Sequence, residues 1–270
     1  MDLPLVLKRW ASRAMRAVPF VPVRGTGAGH EPGFDELVSE YDVIIMKHCF
    51  PASDILEDIG KPEPSSPRQS LENYQAVYRL LRDGFDENPD TLFIIWTLPP
   101  RHRLFEPAEG DKHENAARAT AFSDWLKGEY TGEGGPHPNI RIWDFRGLVA
   151  DPATGFLKYE YEPDHRRPDS HPNKLANNTA GPELARFIVA SATAFHGRRH
   201  DPPAVKAVLL HHSTGLNVYR YPAQGLPAWF DGINVSGGTA YQLSHQWYPT
   251  DGNMPVHYYR AWLDGKRPGG

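Results

Sequence analysis

The sequence predicts a doubly wound α/β sandwich, in which a central, mostly parallel sheet carries helices on both faces. Three observations predict it. Short apolar runs rich in β-branched residues recur along the chain, which is how strands buried on both faces read. Segments with apolar residues at helical spacing fall between those runs, and this alternation is the mark of a parallel sheet. The 270 residues suffice for one large α/β domain with a short extension.

In chain order, the first strand is residues 41–46 (YDVIIM). Leu71, Tyr74, Val77, Tyr78, Leu81 and Phe85 then line one face of a helix over residues 70–85. The second strand is Leu92–Trp96, stopped by Pro99 and Pro100. Ala116, Ala119, Phe122, Trp125 and Leu126 mark the next helix, and residues 140–145 (IRIWDF) the third strand. Leu184, Phe187, Ile188 and Phe195 mark a helix before the fourth strand, residues 205–210 (VKAVLL). Residues 254–263 read as a last helix. The Pro- and Gly-rich segments 60–68, 101–111, 132–138, 162–172 and 220–251 read as loops.

Residues 33–270 are assigned to the domain and residues 1–32 to an N-terminal extension. Leu3, Leu5, Val6, Leu7 and Trp10 alternate there with Lys8, Arg9, Arg13 and Arg16. Such a basic amphipathic segment either packs on its own domain or touches a membrane surface through residues 1–23. It lacks the uninterrupted apolar stretch of a signal peptide, which favours a cytoplasmic location. No apolar run is long enough to span a bilayer. The net charge of −4 and the absence of a large basic cluster argue against nucleic acid as a partner. One cysteine, Cys49, excludes an intramolecular disulfide and argues against a cysteine-based zinc site. The GTGAG run at 25–29 follows no strand, so it is not a phosphate loop.

In an open parallel sheet, ligands bind beyond the carboxyl ends of the strands. This sequence gathers chemistry there. The first strand ends in Lys47–His48–Cys49, and the fourth runs into His211–His212–Ser213–Thr214–Gly215. A sharp turn at Ser213 exposes a hydroxyl and leaves the following N–H groups free to hold an oxyanion. Ser-Thr-Gly is also ordinary turn chemistry. Asp169 and His171 lie in a loop before the helix that leads to the fourth strand. A hydroxyl needs a base to become a nucleophile, and a carboxylate can orient that base. The same pair also reads as an Asx turn with a surface histidine.

Taken together, YDVIIMKHCFPASDI, LFIIWTLPP, the helix with Ala116–Ala117–Arg118 and FSDWL, NIRIWDFRGLV, DSHPN and HHSTG resemble a bacterial group of the SGNH/GDSL hydrolase superfamily. The resemblance spans most of residues 34–263. It implies the flavodoxin-like sandwich of that superfamily and a serine esterase acting through an acyl-enzyme. Ser213 would be the nucleophile, His171 the base and Asp169 its orienting acid, with no cofactor or metal. The substrate would be a small-molecule or glycan ester, acetylated carbohydrate included.

Three features depart from the family pattern. Gly-Asp-Ser is replaced by His211–His212–Ser213. Asp-x-x-His is shortened to Asp-x-His, as in the SGNH-like domains of alginate O-acetyltransferases, which opens O-acyl transfer to a glycan as the alternative. The serine block follows the Asp/His block instead of preceding it, which implies a circular permutation. With the spacing shortened, Asp164 or a backbone carbonyl is the alternative partner for His171. The family's Gly-x-Asn-Asp block is also missing. Candidates for the oxyanion hole and substrate contacts are therefore Gly215, Asn217, Asn234, Lys47, His48, Cys49, Ser53 and His212.

Two other readings compete. His171, His211, His212, His245 and His257 could converge with Asp169 on zinc, although no pair among these residues has zinc-site spacing. A non-catalytic carbohydrate- or partner-binding module could use the aromatics Trp143, Trp229, Tyr241, Trp247, Tyr248, Tyr258, Tyr259 and Trp262, which serve equally well as core.

Overall fold

The structure is a computed structural model that describes residues 32–197, 205–248 and 256–264. The extension over residues 1–23, the GTGAG run and the first residues of the expected last helix lie outside the described residues.

Five parallel strands form one sheet in the order β3-β2-β1-β4-β5. They are β1 (Val43–Met46), β2 (Leu92–Trp96), β3 (Ile140–Trp143), β4 (Lys206–His211) and β5 (Gln242–Trp247). The central strands are buried on both sides, as their apolar runs require. Alternate side chains divide the core. Ile44, Met46, Phe93, Ile95, Val208 and Leu210 face one layer, and Val43, Ile45, Leu92, Ile94, Ala207 and Leu209 the other.

The first layer holds α1 (Phe34–Glu40), α2 (Leu71–Asp86) and α3 (Lys112–Trp125). The second holds α4 (Phe145–Val149), α5 (Lys174–His196), α6 (Thr214–Arg220) and α7 (Gly225–Gly237). A last helix, α8 (Tyr258–Leu263), returns to the first layer, where Trp262 is fully buried edge-on against Phe34. The expected α/β sandwich is therefore present, and every strand in the sheet is parallel.

Two sequence expectations are corrected. Residues 220–251 are not a loop, because α7 and β5 lie within them. Gly225, Pro227, Gly232 and Gly237 disguise α7, yet Leu226 and Phe230 bury it in the layer it shares with α5. The sequence QLSHQW of β5 is half exposed because an edge strand has only one neighbour. The third expected helix also begins earlier than its apolar pattern. It is α5, started by the Asn173 side chain accepting from the N–H groups of Leu175 and Ala176, with Pro182 inside it.

The topology fixes where a site can form. From β1 the chain moves outward through β2 and β3, returns to the other side of β1 as β4, and moves outward again to β5. The order reverses between β1 and β4. At such a switch point the connections leave in opposite directions and open a crevice beyond the strand ends. Lys47–Cys49 and His211–Ser213 border this crevice.

Candidate functional site

Ser213 joins β4 to α6 at φ 40°, ψ −95°, and is the one non-glycine residue with positive φ among the described residues. A side chain is rarely held in this region without compensation, and such strain concentrates at functional sites. The compact strand-to-helix turn depends on Gly215. A Cβ there would come within 2.5 Å of the Cβ of His211 and 3.1 Å of Cδ of Lys47. Gly215 thus lets the start of α6 sit directly on the ends of β4 and β1.

The loop before α5 brings the other two residues. His171 Nε2 is hydrogen-bonded to Ser213 Oγ. His171 Nδ1 lies 2.6 Å from Asp169 Oδ1, and the same oxygen accepts the His171 backbone N–H at 3.0 Å. The Asx turn and the acid–base pair are therefore one structure. By folding the imidazole back over its own turn, the short Asp-x-His spacing lets Asp169 reach Nδ1. Asp164 does not serve this role; it accepts the backbone N–H of Arg166. Partial burial acts to raise the Asp169 carboxyl. The two bonds from His171 and the nearby His102 outweigh it and hold the group below the usual carboxylate range.

Sequence reasoning missed the residues that hold this loop. Phe50, just beyond β1, stands edge-on to the His171 ring at 4.8 Å. Its position is backed by Arg101, which lies 5.1 Å from the Phe50 ring centre and donates from Nε to Asp54 at 2.9 Å. Beneath the loop, the buried Glu162 carboxylate meets His102 Nε2 at 3.2 Å, Arg103 Nε at 3.0 Å and His165 Nδ1 at 2.8 Å. The His102 N–H donates to Ser170 Oγ at 3.0 Å, between Asp169 and His171. The signal was a glutamate opening a loop that also carries His165, but no spacing rule ties it to residues 60 positions earlier.

Glu162→Ala removes the shared carboxylate of this cluster. Breaking a buried ion pair from one side costs about 3 kcal/mol. Denaturant unfolding should register a loss of that size. The loop that carries His171 should become looser as well, while replacement of the exposed Glu160 changes neither.

The remaining candidates separate clearly. Lys47, Cys49 and His212 do border the crevice and line a cavity of about 20 Å³ beside it. Burial pushes the Lys47 ammonium down to about 8, against a smaller opposing effect of Cys49. Lys47 Nζ is buried without a hydrogen-bond partner among the described residues. Cys49 Sγ lies 4.0 Å from Thr214 Oγ1. Asn217 stands one turn after Ser213, where its N–H donates to the Ser213 carbonyl, and it lines an open cleft with His171.

Three candidates are corrected as oxyanion or substrate contacts. The Gly215 N–H donates to the His212 carbonyl at 2.9 Å and is not available to an oxyanion. The first-turn N–H of Thr214 has no acceptor among the described residues, as helix geometry leaves such groups free. Asn234 closes the end of α7, accepting from Thr239 Oγ1 at 2.7 Å and donating to the Tyr241 carbonyl at 3.0 Å. Ser53 is buried and donates to the Pro99 carbonyl. His48 lines the same small cavity as Lys47, Cys49 and His212, with its ring 5.1 Å from that of Tyr259 and 5.9 Å from that of Tyr78.

The competing readings fare as follows. Among the described residues, no group of three His, Cys, Asp or Glu side chains could hold a metal ion. His211 is bonded to His245 at 2.8 Å, and burial pushes it down to about 2, with His245 and Lys47 adding to the effect. Of the aromatics proposed to bind sugars, Trp143, Tyr248, Tyr259 and Trp262 are core residues, whereas Trp247 is exposed on β5. No helix among the described residues is long and apolar enough to cross a membrane. No protein-family model, curated protein or solved structure matches the chain.

Proposed function

We propose that the chain is a serine esterase of the SGNH/GDSL type that cleaves esters of short acyl groups through an acyl-enzyme. The observation that carries this reading is the His171 ring, hydrogen-bonded through Nε2 to Ser213 and through Nδ1 to Asp169, at the switch point of a parallel sheet. The strand order adds support for the permuted family pattern. Counted from β4 as the first strand, the order β3-β2-β1-β4-β5 becomes 2-1-3-4-5 when read from the β5 edge, the flavodoxin-like order.

The chemistry follows from the residues. Ser213 Oγ attacks the ester carbonyl carbon while its proton passes to His171 Nε2. Asp169 accepts from Nδ1 throughout, which fixes the tautomer and stabilises the imidazolium. The negative charge that develops on the carbonyl oxygen is held by the Thr214 N–H, with the Lys47 ammonium adding positive charge at the same end of the sheet. As the tetrahedral intermediate collapses, the bond to the alkoxy oxygen breaks and His171 returns the proton to the leaving alcohol. The Ser213 ester remains. Water then loses a proton to His171, attacks the acyl carbon and releases the carboxylic acid, and the proton returns to Ser213.

His171 protonates the leaving group, so the alcohol half lies on the His171 side and the acyl half on the side of Lys47 and Cys49. The cavity on that second side is about 20 Å³, scarcely more than one water molecule requires. Acetyl esters should therefore be cleaved faster than longer ones. A series of p-nitrophenyl esters tests this. kcat/KM should fall at least tenfold from acetate to octanoate, and a profile that rises with chain length would contradict the assignment. The cleft beside His171 is open and about 560 Å³, which keeps transfer of the acyl group to a second alcohol as the alternative to hydrolysis.

A further inference from the structure

We infer that Tyr259 sets the length of acyl group the site accepts, by closing the far side of the cavity beside Lys47 and Cys49. This rests on the esterase reading above and assigns the acyl specificity of that site to one side chain. The cavity, about 20 Å³, is walled by residues of different origin. The segments just beyond β1 and β4 supply the inner wall, Lys47, Cys49 and His212 among them. That wall adjoins the nucleophile turn, since His212 precedes Ser213 and Cys49 Sγ lies 4.0 Å from Thr214 Oγ1. Tyr248, Tyr259 and Trp262 supply the outer wall, so an acyl chain that lengthens away from Ser213 ends on these rings.

Two of the three aromatics anchor the fold. The Tyr248 hydroxyl donates to the Pro32 carbonyl at 2.9 Å. Trp262 is fully buried, edge-on to Phe34 at 4.9 Å. Tyr259 lies one turn before Trp262, on the same face of α8. Its ring stands 5.6 Å from that of Trp262 and 5.1 Å from that of His48, which belongs to the inner wall. Tyr259 thus spans the gap between the anchored aromatics and the end of β1. The helix behind it has no room to retreat. A Cβ on Gly84 of α2 would come within 2.6 Å of Leu263 Cδ2, so α8 already rests against the backbone of α2. A packed interior resists even one added methylene. An acyl chain longer than the cavity therefore meets a fixed ring, and the limit on its length is sharp.

The test measures kcat/KM for p-nitrophenyl acetate, butyrate and hexanoate on the wild type, Tyr259→Ala and Tyr259→Leu proteins. A methylene admitted or refused by an apolar pocket changes kcat/KM by roughly 10- to 200-fold. The hexanoate-to-acetate ratio should therefore rise about tenfold or more in Tyr259→Ala, and the butyrate-to-acetate ratio by a similar factor in Tyr259→Leu. The ratio is the readout because a purely structural loss lowers all three esters alike. Leucine keeps an apolar side chain in the core, so its variant decides the matter should Tyr259→Ala fail to fold. Ratios that stay at the wild-type values in a folded variant overturn the role of Tyr259 while the esterase stands. A folded wild type that cleaves none of the three esters and takes no fluorophosphonate on Ser213 overturns the esterase reading, and the acyl assignment with it.

Discussion

Ser213→Ala should lower ester cleavage by about 10⁴- to 10⁶-fold, the range found when the nucleophile of a cooperating triad is removed. The loss should fall on kcat, since the oxyanion donors and the cleft remain. A companion variant separates chemistry from architecture. Ser213 is held at φ 40°, ψ −95°, a backbone state that costs a residue with a Cβ on the order of 1–3 kcal/mol. Glycine adopts positive φ freely but gives back part of the gain through its more flexible unfolded chain. Ser213→Gly should therefore be as inactive as the alanine variant yet more stable, by about 1 kcal/mol, or a rise in Tm of roughly 2–4 °C for a chain of this size. An inactive and stabilised glycine variant is the signature of strain maintained for function. A glycine variant less stable than alanine would show that the turn carries no such strain.

Asp169→Asn is expected to lower kcat by about 10²- to 10⁴-fold with little change in stability. Removal of the charge from a triad carboxylate produces losses at the upper end of that range when the ring adopts the wrong tautomer. The geometry here points to a smaller loss. A single oxygen, Oδ1, accepts both the backbone N–H and Nδ1 of His171. An asparagine carbonyl can take both bonds, so the tautomer survives and the missing term is stabilisation of the imidazolium. Asp169→Ala removes the turn as well and should be worse than asparagine. Steady-state rates of the two variants measure the difference, and equal losses would mean that the turn contributes nothing to positioning His171. The Asp169 side chain is about half exposed, so its ion pair should add little to stability.

The legibility of this fold in the sequence follows burial. Strands β1, β2 and β4 are covered on both faces, and their runs VIIM, LFIIW and KAVLLH carry an apolar signal. The edge strand β5 has no such signal because QLSHQW is half exposed. Helix α7 was hidden for a different reason. Its glycines oppose helix formation locally, and the contacts that override them are made to α5, 29 or more positions earlier. The start of α5 was obscured by Gly181 and Pro182, yet a Cβ on Gly181 would lie 2.3 Å from Pro222, so the small residue is there to admit the turn after α6.

The site was legible to the extent that it is local. Asp169 and His171 share one turn, and Ser213 with Gly215 shares another, so their residue types and spacing could be read directly. Bringing the two turns together depends on the switch point between β1 and β4, which spacing alone does not encode. Gly215 illustrates the limit. Its identity was noticed, but its role is to permit close approach to His211 and Lys47, not to donate its N–H. Ser53 and Asn234 carry the polar groups an oxyanion hole needs but spend them on the surrounding fold. The Glu162 cluster was missed because it becomes informative only beside residues distant in the chain.

The central claim is that Ser213 is an activated nucleophile. Labelling with a fluorophosphonate tests it most directly, read by intact mass and peptide mapping on wild type beside Ser213→Ala. A single adduct on Ser213, absent from the alanine variant and slowed in Asp169→Asn, is the predicted result. A folded wild-type protein that takes no label, or an adduct that persists in Ser213→Ala, would contradict it.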